Sequence, residues 1–255
     1  MASIPVDILR NILEHVDRAG LLKMCLVNKI CCSCSQDVLY REIFSKDNRI
    51  CRTLVKSSHL AKRVRSFSLY AHEEELAKVL RNLTSLRSLA LRDEGSVSNL
   101  MDGCTFKLES LSCFYDIDES LHKFLCSQPG LTTLRFFAID MKIPELETTC
   151  LPNLTHLTAW FPHIPNFIRG RPVNDLTVMG IESMVDVDFG DHDFDYSVLS
   201  SAPIHKLWIS YEFLFPTPAP ILASITPSLV HLSLIFPERF IRPFKTVGPP
   251  LYLFE

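Results

Sequence analysis

The side chains best able to do chemistry in this sequence are its cysteines, and the densest group is "CCSC", Cys31 to Cys34. Cys31 and Cys34 have C-x-x-C spacing, with Cys25 and Cys51 nearby. A structural zinc needs a second ligand pair at matching spacing, and none follows. The expectation is therefore packed or solvated thiols at a helix end, with no metal. A second tempting stretch is "DVDFGDHDFD", Asp186 to Asp195, with five aspartates. A calcium loop wants Gly at its sixth position and a bidentate Glu at its twelfth. Counted from Asp186 those positions hold Asp191 and Ser197, so a solvated acidic loop is expected instead. No G-x-S-x-G, P-loop, G-x-G-x-x-G or H-E-x-x-H occurs. His15, His156, His205 and His231 have no cysteine or acid at a fixed spacing. Neither catalysis nor a cofactor is expected.

The elements that would position binding residues are better marked. "LRSLAL", Leu86 to Leu91, spaces its leucines by three and then by two. That is a change from helical to strand periodicity in one phrase. The pattern apolar-x-x-apolar-x-apolar recurs as "VRSFSL" from Val64, "LESLSC" from Leu108, "LTTLRF" from Leu131 and "LTHLTA" from Leu154. "VNDLTV" from Val173, "IHKLWI" from Ile204 and "LVHLSL" from Leu229 complete eight copies, with steps of 22, 22, 23, 23, 19, 31 and 25 residues. A period of ~20–29 residues carrying L-x-x-L-x-L is the leucine-rich-repeat signature. Each copy would lay one short strand beside the last, with the final two apolar positions pointing inward.

The connections agree with this reading. Glu73 to Leu83 and Asp118 to Pro129 have apolar residues at helical spacing with acids in the first turn. Pro129, Pro152, Pro172, Pro203 and Pro227 each stand just before a phrase, where proline ends a helix and favours extended backbone. Near the end, Leu251 and Leu253 begin an incomplete ninth copy. Nothing in "LYLFE" could form a polar cap, so an open C-terminal edge is expected.

The first forty-five residues follow a different rule. Ile8, Leu9, Ile12, Leu13 and Val16 share one face of a helix that begins near Pro5. A second helix is expected from Leu21 to Val27, and a third segment ending in "DVLYREIF", Asp37 to Phe44. The order "IPVDILRNIL…LLKMCLVNK…VLYREI", from Ile4 to about Ile43, resembles an F-box: Leu-Pro, an acid, paired aliphatics, then Leu-Val and a basic position. An F-box followed by these repeats resembles the F-box/leucine-rich-repeat family, particularly its degenerate fungal members. The resemblance covers nearly the whole chain. The aromatic that often follows the Leu-Val stretch is replaced around Ile30 and Cys31, which removes area that an anchor would bury.

The expected fold is thus α/β: a three-helix F-box at 1–45, a helical connector at 46–63, and a curved leucine-rich-repeat solenoid with a parallel concave sheet at 64–255. The resemblance implies that Ile4, Pro5, Leu9, Ile12, Leu13, Leu26 and Val27 contact a Skp-type adaptor, and through it a cullin. The chain would then be a non-catalytic substrate receptor of a ubiquitin ligase. The alternative is a repeat scaffold acting outside ubiquitylation.

For the target, the residues between and beyond each inward pair point to the open face. Arg92 and Arg135 would anchor charge, while Phe114, Phe137, Trp160, Met179 and Trp208 would form a shallow apolar trough. For any single aromatic, packing beneath the loop after its strand is an equal alternative; the column as a whole reads as a binding surface. Net charge is −3 and the longest basic cluster is "KRVR", Lys62 to Arg65, so nucleic acid is not an expected partner. The 47% apolar content includes no run approaching the ~18 residues of a membrane span. No signal-peptide core precedes Asp7 and Arg10. The nine cysteines, an odd number partly inside apolar segments, suggest reduced thiols in cytoplasm or nucleus. The sequons at Asn82 and Asn153 are then chance matches.

Overall fold

The computed structural model describes residues 4–45, 49–69, 75–91, 100–114, 118–137, 146–160, 163–179, 201–210 and 228–235. Arg92, the acidic stretch Asp186 to Asp195 and the incomplete ninth copy lie outside the described residues.

Local chemistry explains the first three helices. Helix α1, Val6–Glu14, starts directly after Pro5 and carries Asp7 in its first turn. Helix α2, Arg18–Met24, is capped by the Asp17 carboxylate, which accepts from the Gly20 amide at 2.9 Å. Helix α3, Lys29–Leu39, is capped by the Asn28 side chain, which accepts from the Cys31 amide at 2.8 Å. Leu9, Leu13, Leu21, Cys31 and Cys34 meet in a small core of their own.

The third segment differs from expectation. Helix α3 stops at Leu39, and Glu42–Ser45 is strand β1. It is followed by β2 (Ser66–Leu69), β3 (Ser88–Leu91), β4 (Ser110–Cys113), β5 (Thr133–Phe136) and β6 (His156–Trp160). Then come β7 (Asp175–Met179), β8 (Lys206–Ser210) and β9 (His231–Ile235). The nine described strands form one all-parallel sheet in simple sequence order. The fold is therefore α/β, and the sheet begins one strand before the first recognised phrase. That strand is the core of a hidden copy, Tyr40 to Ser45, whose final apolar slot holds Ser45.

The phrases from Tyr40 to Ile204 share one backbone device. The carbonyl of each phrase's second residue accepts the amides of the second and third residues of the next phrase. Arg41 O takes Arg65 N at 2.8 Å and Ser66 N at 3.0 Å, and Arg65 O takes Arg87 N at 2.8 Å and Ser88 N at 2.9 Å. The same pairing continues through Arg87, Glu109, Thr132, Thr155, Asn174 and His205. Register is thereby fixed, so the inward pairs align. From Phe67 and Leu69 to Leu207 and Ile209 both members are buried. The first phrase position is buried as well, from Val64 to Ile204.

Short helices cover the inner side. Helices α4 (Arg49–Lys56) and α5 (Ser58–Ala61) fill the connector, with α6 at Leu76–Asn82, α7 at Glu119–Cys126 and α8 at Ile164–Ile168. Segments this short are marginal alone, so packing sustains them. They are also tied by polar side chains that reach the neighbouring unit's backbone. Asn153 Nδ2 donates to Pro129 O at 2.8 Å. Buried Gln128 accepts from Leu108 N at 2.9 Å. Both sequon asparagines are thus structural, since Asn82 also donates weakly to Leu54 O at 3.4 Å.

Two ties were not expected. Cys126, closing α7, is disulfide-bonded to Cys150, with 4.4 Å between their Cα atoms. The expectation of wholly reduced thiols is therefore corrected at this pair; the other seven cysteines carry no disulfide. The reason is spatial: parallel register brings the end of one connection against the next. Beside it, fully buried Arg171 donates to the carbonyls of Cys150 and Glu147, both at 2.8 Å, and Asn166, at 2.9 Å. Longer bonds reach Arg169 O at 3.2 Å and Leu146 O at 3.3 Å. Burial pushes the guanidinium down to about 10, which leaves it a cation at neutral pH. Next to this knot, buried Leu151 takes φ 58, a left-handed conformation that a leucine adopts only under constraint.

Replacing Arg171 by Met should cost about 3 kcal/mol or more, because buried carbonyls would lose their donors. Urea unfolding of the full chain measures it. A loss below ~1 kcal/mol would mean that water enters and replaces the guanidinium.

Candidate interaction surfaces

Three columns of side chains stand on the sheet's open face, because residues two apart on a strand share a side. In the first column His156, Asp175 and Lys206 form a loose charged row. Asp175 Oδ2 lies 3.9 Å from both His156 Nε2 and Lys206 Nζ. At these distances and exposures the pairs contribute little to stability.

The middle column is Phe44, Ser68, Ala90, Ser112, Arg135, Thr158, Thr177, Trp208 and Ser233. Its interior residues are small, apart from exposed Arg135. Trp208 is 36% exposed, with its ring centroid 5.7 Å from that of His231. Phe44, 66% exposed, extends the column at the other end. Sequence reasoning missed it by placing it in a helical segment. The available signal was Tyr-x-x-Ile, which begins 24 residues before Val64.

The third column holds the aromatic ladder. Phe114 and Phe137 stack at 4.6 Å with 26° between their planes. Trp160 meets Phe137 edge-on at 6.4 Å. Met179 stands opposite Trp160 on the next strand. All four are half-buried, so each ring shares its area between its neighbours and solvent. The Trp160 indole N–H is shut from water and has no partner among the described residues. Of the seven residues expected to meet a target, six lie on this face; the other, Arg92, is outside the described residues.

The helical unit presents the larger apolar surface. Ile4, Pro5, Ile12, Leu26 and Val27 are exposed, with Leu26 87% and Ile12 49% accessible. Val6, Ile8, Leu22 and Ile30 are exposed around them and were not among the expected contacts. Leu9 and Leu13 behave differently. Both are buried in the unit's own core, so the structure does not present them to a partner. The five apolar positions of α1 make a stripe wider than the core beneath it. Its Leu9–Leu13 edge turns inward and its Ile8–Ile12 edge turns out.

The unit is anchored to the rest of the chain through charges. Asp37 on α3 pairs with Arg63, whose guanidinium also donates to Ser33 O at 2.9 Å. Arg41 reaches Glu14 at 2.7 Å. Among the described residues no cluster of three His, Cys, Asp or Glu could hold a metal ion. No helix among them is long and apolar enough to cross a membrane.

Phe136 and Phe137 are adjacent and face opposite sides of the sheet. Phe136→Ala should cost about 3–5 kcal/mol in urea unfolding, as for other buried aromatics. Phe137→Ala should cost about 1–2 kcal/mol, the value of a half-exposed stacked ring. Equal losses would show that the ladder is core rather than surface.

No family model matches the chain, and no curated protein matches it.

Proposed function

We propose that this chain is a non-catalytic target receptor, an F-box-type helical unit joined to a leucine-rich-repeat solenoid. In this reading the helical unit docks on a Skp-type adaptor of a cullin ubiquitin ligase, in cytoplasm or nucleus. The sheet's concave face holds a protein target. One observation carries the proposal. Within its first thirty residues the chain exposes eight large apolar side chains, from Ile4 to Ile30, over a core of only five residues. An apolar patch of that kind marks a binding surface. The motif order from Ile4 to Ile43 supports an adaptor as its occupant.

The sheet face supports the second half of the reading. A stacked aromatic ladder beside an exposed Arg135 combines the residue types that dominate protein interfaces. Function here is positional: a tethered target meets the ubiquitin-charged enzyme at high effective concentration. The chain itself catalyses no step of the transfer in this reading.

A reading as a scaffold outside ubiquitylation is favoured by one feature. Exposed Ile30 and buried Cys31 stand where the resemblance calls for an aromatic anchor.

Co-purification of the full chain with a Skp-type adaptor separates the two. Ile12→Asp with Leu26→Asp places two charges in the docking surface while sparing the unit's core. Each buried, unpaired charge costs several kcal/mol, so adaptor recovery should fall at least tenfold with helicity unchanged. Leu9→Asp should instead unfold the helical unit. Undiminished adaptor recovery by the Ile12/Leu26 variant would overturn the docking surface. Failure of the unaltered chain to bind any Skp-type adaptor would favour the scaffold.

A further inference from the structure

The turn that joins α2 to α3 carries Leu26 and Val27, and a shallow groove of about 420 Å³ opens beside it. Two half-buried thiols line this groove, Cys25 at the end of α2 and Cys32 in the first turns of α3. Cys32 stands close enough to Cys25 to help push its thiol up, after burial itself. The C-x-x-C spacing pointed to Cys31 and Cys34, but both are buried in the unit's core. The structure brings a different pair to one groove, seven positions apart in sequence.

We infer that Cys25 and Cys32 form a redox-active dithiol, which an oxidised low-molecular-weight thiol such as glutathione disulfide closes to an intramolecular disulfide. Three features converge on this. The two thiols line one and the same groove, both are half-exposed and reachable from solvent through it, and Lys29 lines it to receive an anionic reagent. The other cysteines outside the disulfide differ. Cys31, Cys34, Cys51 and Cys113 are buried, and Cys104 is held up to about 11 by burial.

The chemistry balances as thiol–disulfide exchange. The Cys32 thiolate attacks one sulfur of glutathione disulfide. One glutathione thiolate leaves, and Cys32 becomes a mixed disulfide. The Cys25 thiolate then attacks the Cys32 sulfur and expels the second glutathione. The protein pair gives up two electrons and two protons, recovered as two molecules of reduced glutathione. Burial, and then the neighbouring Cys32, push the Cys25 thiol up, so Cys25 is assigned the second, intramolecular step, where the mixed disulfide is held beside it.

The closed pair would staple the turn between α2 and α3 and fix the course of Leu26 and Val27. Docking through those residues then becomes sensitive to thiol state. This consequence rests on the proposed docking surface; the disulfide itself does not.

The test uses the full chain, freed of reductant and incubated with glutathione disulfide at mildly alkaline pH. Remaining thiols are alkylated under denaturing conditions and the chain is digested with trypsin. Cleavage after Lys23 and Lys29 releases Cys25 on its own peptide, apart from the peptide that holds Cys31, Cys32 and Cys34. The expected result is a Cys25–Cys32 cross-link as the main new disulfide, with Cys31 and Cys34 alkylated. Cys25→Ser should stop at a glutathione adduct on Cys32. Recovery of both thiols in alkylated form, or a Cys31–Cys34 bridge in their place, overturns the inference. Adaptor co-purification before and after oxidation is scored separately. A bridge that forms in a chain that binds no adaptor supports the dithiol and overturns only the docking reading.

Discussion

One backbone carbonyl per unit sets the geometry of everything else in the sheet. It accepts two consecutive amides from the next unit, and the pairing repeats from Arg41 to His205. A buried amide without a partner is costly, so each incoming strand has only one inexpensive register. Parallel pairing at that register lines up the inward side chains of adjacent strands and leaves the alternate residues on the open face. The aromatic ladder is a consequence. Phe114, Phe137 and Trp160 hold equivalent positions on successive strands, so their rings must meet.

The inner side of the sheet solves a harder problem. Its connections vary in length, with 19 to 31 residues from the start of one phrase to the start of the next, and its helices are too short to hold themselves. Asn153, Gln128 and Arg171 compensate by donating to, or accepting from, the backbone of adjacent turns. Arg171 gathers five carbonyls where no regular helix could satisfy them. The Cys126–Cys150 disulfide ties the same region covalently. Substitution of the usual leucines by Ala159, Cys113 or Phe136 is tolerated because facing residues share a common volume.

The helical unit and the sheet divide the chain's apolar surface unequally. The sheet's core runs continuously from Ile43 to Ile209 and leaves few large apolar groups exposed. The helical unit has five core residues and a wider apolar exterior. Asp37 and Arg63 hold the two together from one side. The free apolar surface therefore lies on the unit's other faces, beside the turn that carries Leu26 and the Cys25–Cys32 pair.

Properties set by consecutive residues were legible in the sequence. The inward pairs follow from a period of two within each phrase, and the parallel order from phrases recurring after a helix-length gap. Helices near Leu76 and Glu119 follow from apolar spacing; the expected first-turn acid is present in α7, as Glu119, but α6 begins only after Glu75 and has no acid in its first turn. Strand β1 escaped because Ser45 fills an apolar slot; its register depends on Arg41 O and the strand beside it, not on its own pattern. Contacts between segments were decided only by tertiary structure. An α1 stripe containing Ile8, Leu9, Ile12 and Leu13 cannot say which edge meets α3, because both edges are equally apolar. Cys126 and Cys150 stand 24 residues apart, and Cys25 sits in a turn outside any helical repeat with Cys32. Sequence spacing measures distance along the chain, while thiol pairing and burial depend on how the helices and turns fold back on one another.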